Sequence, residues 1–419
     1  MSYCGSVTAR PFDIVLFGAT GFTGKLVAEY LVKNAPTDLK WALAGRSREK
    51  LESVRGDLAR VNPKVASLPL VLGDSQDEAS MDALAKQARV VCTTVGPYMK
   101  YGQAIVSACA ENGTHYCDLT GEVPFMRDTI DRCDTRAKAT GARIVHTCGF
   151  DSIPSDLGVL MLHEHARAMG KKLASVRFFA GESSGGISGG TVASMLELVK
   201  LAKTDPKIRR TLGNPYALDP EPRLGGRDGG DQMGVRWEPH INMWTGPFVM
   251  AAVNTRVVRR SNALQNYVYG PSFRYSEAMS FGKGPKGLLL ASSVSAGLVA
   301  FLGAASIAAS RRLLELTVLP APGEGPSREA RERGFFVVRM VAETDAPGHA
   351  PLRLSARVEG KADPGYGETA KMLSESALCL AFDGERLPAG GGVLTPATAM
   401  GMVLIERLRA AGMVFEVKV

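Results

Sequence analysis

FDIVLFGATGFTG, residues 12–24, is an apolar run that breaks at a glycine turn and leads into a helical pattern. Phe12 to Phe17 has the length and composition of a buried parallel strand. Residues 25–33 then place Leu26, Val27, Tyr30, Leu31 and Val32 on helical spacing. Glycine at the junction has three uses. Gly18 permits the tight turn, Gly21 lets backbone approach a pyrophosphate, and Gly24 lets the helix pack closely on the strand. The start of the helix offers unpaired amides and a positive dipole end to phosphates. Gly18, Thr20, Gly21, Phe22, Thr23 and Gly24 are therefore the expected cradle of a dinucleotide.

The same alternation continues downstream. Residues 41–44 (WALA), 69–72, 89–94 (RVVCTT), 115–119 and 142–146 (ARIVH) read as strands, with helical stretches at 48–61, 77–87, 102–111 and 123–140 between them. Strands joined through helices imply right-handed crossovers and a parallel sheet. Six such strands are the number of a doubly wound Rossmann domain.

The residue after the second strand faces the adenosine ribose, and an acid there would favour NAD(H). This chain has Gly45-Arg46-Ser47-Arg48 instead. The planar guanidinium of Arg46 matches a 2′-phosphate bidentately and the Ser47 hydroxyl adds a donor, so NADP(H) is the expected cofactor. The plainer alternative is that Arg46 and Arg48 are solvated charges at a helix start. Two more loops lie at carboxyl ends of strands, where ligands bind in such sheets. Val95 and Gly96 precede Pro97-Tyr98, where the nicotinamide half would pass; Asp151 lies in CGFDSIPSD, residues 148–156. Tyr98 is a candidate proton donor and Asp151 a candidate to orient the substrate. Equally, Tyr98 can be a packing residue and Asp151 a helix cap.

Composition narrows the class. Of 419 residues, 45% are hydrophobic and 22% charged, as in folded globular chains of more than one domain. Seven cysteines without CxxC or Cys/His spacing point to buried reduced thiols and no metal site. The first residues contain no apolar run of a secretory signal, which suits a cytoplasmic protein. Within the net charge of +8, residues 251–312 hold Arg256, Arg259, Arg260, Arg274, Lys283, Lys286, Arg311 and Arg312 against Glu277. Such a basic stretch suits an anionic membrane face or an acidic substrate; without a zinc-finger or RNP signature, nucleic acid is not expected.

The second half changes character. Residues 176–180 read as a strand, and 335–343, 353–359 and 415–419 as strands of an antiparallel sheet with 366–380 as its covering helix. A glycine-serine loop at 181–191 suits either a lid or a plain connection. Thr395-Pro396 starts a last helix. Residues 287–310 carry no charge over twenty-four positions, but seven alanines, five serines and three glycines make them only marginally apolar. An interfacial helix, a single span and a buried core helix all remain open for this segment. The interfacial reading would place the protein at the inner face of the membrane.

GATGFTGKLVAEYL, AGRSREKL, TTVGPYMKYG, YCDLTGE and CGFDSIPSDLG, in this order, resemble the saccharopine dehydrogenase-like oxidoreductases. VVRRSNAL, FRYSEAMS, GEGPSREARERG and GGVLTPATAMG extend the likeness over nearly the whole chain, towards actinobacterial trans-acting enoyl reductases. The resemblance implies reduction of a polyketide- or lipid-type double bond for a polyketide synthase lacking its own reductase. Reduction of C=N or C=O, or cofactor binding without turnover at a membrane, are the alternatives. The expected architecture is α/β: a Rossmann domain at 1–155, an α+β substrate domain at 156–395 containing the apolar segment, and a helix and strand at 396–419 that return towards the first domain. A homo-oligomer is compatible with all of this.

Overall fold

The computed structural model describes residues 10–184, 189–221, 226–270, 272–317, 325–345 and 350–418. Its first six strands are β1 (Phe12–Phe17), β2 (Trp41–Gly45), β3 (Leu70–Leu72), β4 (Ala88–Thr93), β5 (His115–Cys117) and β6 (Arg143–Val145). Then come β7 (Leu173–Ser184), β8 (Arg236–Glu238), β9 (Met243–Gly246), β10 (Arg274–Ser280), β11 (Phe335–Thr344) and β12 (Arg353–Gly360), followed by β13 (Gly392–Leu394) and β14 (Val414–Lys418). The helices that matter below are α1 (Phe22–Asn34), α2 (Arg48–Val61), α3 (Ile153–Ala168), α4 (Gly189–Thr204), α5 (Ala251–Leu264), α6 (Gly284–Ser306), α7 (Ala308–Thr317), α8 (Thr369–Phe382) and α9 (Gly401–Ala410).

The first sheet is parallel, in the order β3-β2-β1-β4-β5-β6-β13. Its central strand β1 is apolar on both faces because both are covered. Ile14 and Leu16 join Val27 and Leu31 of α1 in one core, while Val15 and Phe17 join Met81 and Leu84 in the other. This two-sided burial explains why the strands read as continuous apolar runs rather than alternating ones. The second sheet is mixed, in the order β14-β12-β11-β7-β10-β9-β8, with β7 and β10 parallel and the other pairs antiparallel.

The structure corrects several expectations. A seventh strand, β13, extends the first sheet beside β6, with Val393 opposite Ile144. Three residues carry no readable periodicity, and only the fold reveals them. The helix assigned to cover the second sheet, α8, packs instead on β1, β4, β5 and α1 of the first. From Met372 to Ala381 it is buried on all sides, so no polar face orients it in the sequence. Tyr30 of α1 donates to Glu375 of α8 at 2.8 Å and fixes the pair. The last segment divides: α9 packs on α3 and α8, whereas β14 pairs antiparallel with β12 in the second sheet. Of the glycine-serine loop, residues 185–188 lie outside the described residues.

The basic stretch is not one surface. Arg256, Arg259 and Arg260 on α5 are 3–5% exposed and serve the interior. Arg256 pairs with Asp231, Arg259 with Asp228 at 2.8 Å, and Arg260 donates to the carbonyls of Leu218 and Val393. A count along the chain cannot separate such inward guanidinium groups, which need buried partners, from solvated ones. Nor is the apolar segment a core helix. α6 presents most of its length to solvent, with Leu289 68% and Val299 59% exposed.

Candidate functional site

At the carboxyl end of β1, Gly18 turns with φ +92°, a conformation side chains avoid. A Cβ there would also lie 2.8 Å from Thr94 Oγ1, which donates to the Gly18 carbonyl at 3.1 Å. A Cβ on Gly24 would stand 2.1 Å from that same carbonyl oxygen, so Gly24 sets the approach of α1 to the turn. Gly21 is different. Its φ of −75° and ψ of 165° suit any residue, and a Cβ would meet only the Gly18 carbonyl, at 3.4 Å. The protein leaves room at Gly21, as a loop that receives a ligand must.

Gly21 caps α1 without a side-chain bond, and the first turn holds no acid. Among the described residues, the amides of Thr20, Phe22, Thr23 and Gly24 have no acceptor within the chain. Open amides at an uncompensated helix N-terminus fit the pyrophosphate of a dinucleotide. The Phe22 side chain takes no part in this. Its ring packs edge-on against Tyr366, centroids 4.9 Å apart, beneath the Arg331 guanidinium, so only its amide faces the cradle.

At the end of β2, Arg46 is exposed and has no ion pair among the described residues. Ser47 caps α2, its oxygen accepting from the Lys50 amide at 3.3 Å, which leaves the hydroxyl proton free to donate. Both groups therefore remain available to a 2′-phosphate.

At the end of β4, Val95 is half-buried and Gly96 exposed, ahead of a cis Gly96–Pro97 bond. Tyr98 turns inward: it is 4% exposed, its hydroxyl donates to the Thr93 carbonyl at 3.3 Å, and its ring lies beside Phe125. Burial pushes its phenol well above the ordinary range. The phenol proton is thus engaged by the Thr93 carbonyl and the ring is packed in the core. Asp151, half-buried after β6, is better poised. Desolvation, helped by the nearby Asp118 carboxylate, pushes its carboxyl up to about 7.

Two buried carboxylates here escaped the sequence reading although both lie in the quoted YCDLTGE stretch. Asp118 Oδ1 accepts from the amides of Thr120 and Thr147, both at 3.1 Å. Its Oδ2 accepts from Tyr116 Oη at 2.8 Å and meets His146 Nδ1 at 2.7 Å, tying β5 to β6. Glu122 accepts from the amides of Tyr98 and Met99 at 3.0 and 2.8 Å, and from Ser194 Oγ of α4 at 2.9 Å. It links the loop after β4 to the second half of the chain. Their signal was a pair of acids directly after an apolar strand, where an unpaired charge would be costly.

Residues from several of the other motifs meet in two buried clusters. Ser152 donates to Asn254, Asn254 to Glu277 at 2.9 Å, and Tyr275 to Glu277 at 2.7 Å. Asp156 on α3 accepts from Ser261 and from the Ala397 amide at 2.8 Å. Desolvation pushes the carboxyls of Asp156 and Glu277 up to about 7. These contacts fasten α3, α5, β10 and the Thr395 turn together beside the site.

Comparison with known proteins agrees with this geometry. Residues 14–145 match the family described as saccharopine dehydrogenase NADP binding domain. A Mycobacterium tuberculosis protein is 46% identical over 97% of both chains. Proteins named trans-acting enoyl reductase from Mycobacterium bovis and Mycobacterium leprae are 43% and 42% identical, over 98% and 97% of both chains. In fold, the chain resembles saccharopine dehydrogenase (L-Glu forming) from Saccharomyces cerevisiae with a TM-score of 0.53, at 13% identity over 97% of this chain and 99% of that one.

Proposed function

Because the chain belongs to the saccharopine dehydrogenase-like oxidoreductases, in the group of the trans-acting enoyl reductases, we propose that it reduces the C=C bond of a polyketide- or lipid-type enoyl substrate. It is an NADP(H)-dependent oxidoreductase. The observation that carries the reading is the Gly18–Gly24 cradle with its open amides, at the same carboxyl end of the parallel strands as Arg46 and Asp151. The amides of Phe22, Thr23 and Gly24 hold the pyrophosphate, Arg46 and Ser47 take the 2′-phosphate, and Val95 and Gly96 flank the nicotinamide half. When bound, NADPH supplies a hydride from its nicotinamide C4. The other carbon of the double bond then needs a proton, and Asp151 gives it from a carboxyl that is half protonated near neutral pH. Acting in trans implies a substrate delivered by a polyketide synthase that lacks this step.

The assay is NADPH oxidation against enoyl thioesters, imines and carbonyl compounds. Asp151→Asn should lower kcat by about 100-fold while leaving NADPH affinity unchanged. Since the protonated carboxyl donates, wild-type kcat should fall as pH rises through about 7, and this limb should vanish in the variant. Tyr98→Phe should keep kcat within about threefold, its cost being the hydrogen bond to Thr93, about 1 kcal/mol of stability. Loss of turnover in Tyr98→Phe with a fully active Asp151→Asn would reverse the two roles, and turnover confined to imines would replace the enoyl reading.

A further inference from the structure

α6 is held to the protein along one stripe only. Gly287, Ala291 and Ser295, spaced four apart, are buried, the last two against Gly246 of β9. Further along, Ala305 packs with Val192 and Leu196 of α4, joined by Phe301 and Leu314. The remaining circumference faces solvent and, apart from Ser292, Ser293 and Ser306, carries only apolar residues beyond Lys286. Leu288, Leu289, Leu290, Val294 and Val299 are 38–68% exposed, and Ile307 and Leu313 continue the surface at 60% and 61%. Soluble monomers rarely leave so much contiguous apolar area uncovered.

The borders of this surface say what covers it. Lys283 and Lys286 stand at one end of α6, Arg311 and Arg312 just past the other, and no acid lies between them. None of the four makes an ion pair among the described residues. At the lysine end, Trp237 is 42% exposed with its ring edge-on to Trp244. The Trp244 amide donates to the Gly282 carbonyl at 2.9 Å, which ties this pair to the start of the helix. Exposed aliphatic side chains, cations without an ion pair among the described residues and a border tryptophan together complement the acyl, headgroup and interfacial layers of an anionic bilayer.

We propose that α6 docks flat on an anionic membrane surface, apolar face down, with its cations among the headgroups. Its length of about 35 Å would suffice to cross a bilayer. The stripe bound to β9 and α4 excludes that, since crossing would carry β9 into hydrocarbon. Helix α4 touches α6 through Val192 and Leu196 and reaches Glu122 through Ser194, so docking also sets the site beside the bilayer.

The test is co-sedimentation of the full chain with phosphatidylcholine vesicles containing roughly a third phosphatidylglycerol, and with phosphatidylcholine alone. Binding should be at least tenfold tighter to the anionic vesicles and should weaken with salt. Replacing Lys283, Lys286, Arg311 and Arg312 by Gln should cost roughly 100-fold or more. Leu289→Ser, Val294→Ser and Val299→Ser combined should abolish binding while melting temperature and NADPH affinity stay unchanged, because these side chains are exposed. Three results would overturn the proposal. A dimer that the triple variant dissociates, without vesicle binding, would make a second copy the occupant. Resistance of the bound protein to alkaline extraction would mean a spanning helix. A large fall in melting temperature would mean that the face is packed inside the protein.

Discussion

Arg46→Asp should weaken NADPH binding by about 100-fold or more and leave NADH binding within about threefold of wild type. Arg46 is exposed at the carboxyl end of β2 and spends its charge on no neighbour among the described residues. A charge-assisted pair with a 2′-phosphate contributes about 1.5–3 kcal/mol. Asp in its place adds like-charge repulsion of about 1 kcal/mol near the surface. NADH lacks the phosphate and loses neither. Titration of both cofactors by fluorescence decides the matter: equal losses for the two would remove Arg46 from the ribose site and leave the cofactor preference with other residues.

Gly21→Val should be as damaging to cofactor binding and almost silent in the fold. Its backbone angles suit valine and its Cβ would only touch the Gly18 carbonyl, at 3.4 Å, so melting should change little. The branched side chain would, however, occupy the space through which a pyrophosphate approaches the amides, and NADPH binding should drop by at least about 100-fold. Gly24→Ala supplies the contrast. Its Cβ would sit 2.1 Å from a backbone oxygen, so α1 must move, at a cost of about 3 kcal/mol in urea denaturation. Unfolding in Gly21→Val comparable to that in Gly24→Ala would mean that both glycines are structural.

The contrast between these glycines shows which features the sequence displays. A strand, a glycine turn and a helix lie within the twenty-three residues from Phe12 to Asn34, and their requirements are local, so β1, the cradle and α1 were legible at once. The parallel strands were legible for the same reason, each being an apolar run bounded by turns. β13 was not, because its place depends on distant groups: the Asp134 carboxylate accepts the Val393 amide at 2.9 Å, and a Cβ on Gly391 would meet the Ala137 carbonyl at 2.5 Å. Asp118 shows the same limit in the site. Its meaning comes from His146 and Thr147, nearly thirty residues away, and nothing in YCDLTGE displays them. The position of Tyr98 after β4 was visible in the sequence, while its rotation into the core was not. Arg256, Arg259 and Arg260 were counted as surface charge because composition does not record that α5 is buried.

The most direct measurement uses NADPH carrying deuterium on both faces of the nicotinamide C4, with an enoyl thioester as acceptor and mass spectrometry of the product. The expected result is a saturated thioester with one deuterium on a former double-bond carbon and the other new hydrogen drawn from water, formed by wild type and suppressed in Gly21→Val. A thioester recovered unsaturated, while an imine or ketone in the same mixture takes up the deuterium, would contradict enoyl reduction as the function of this chain.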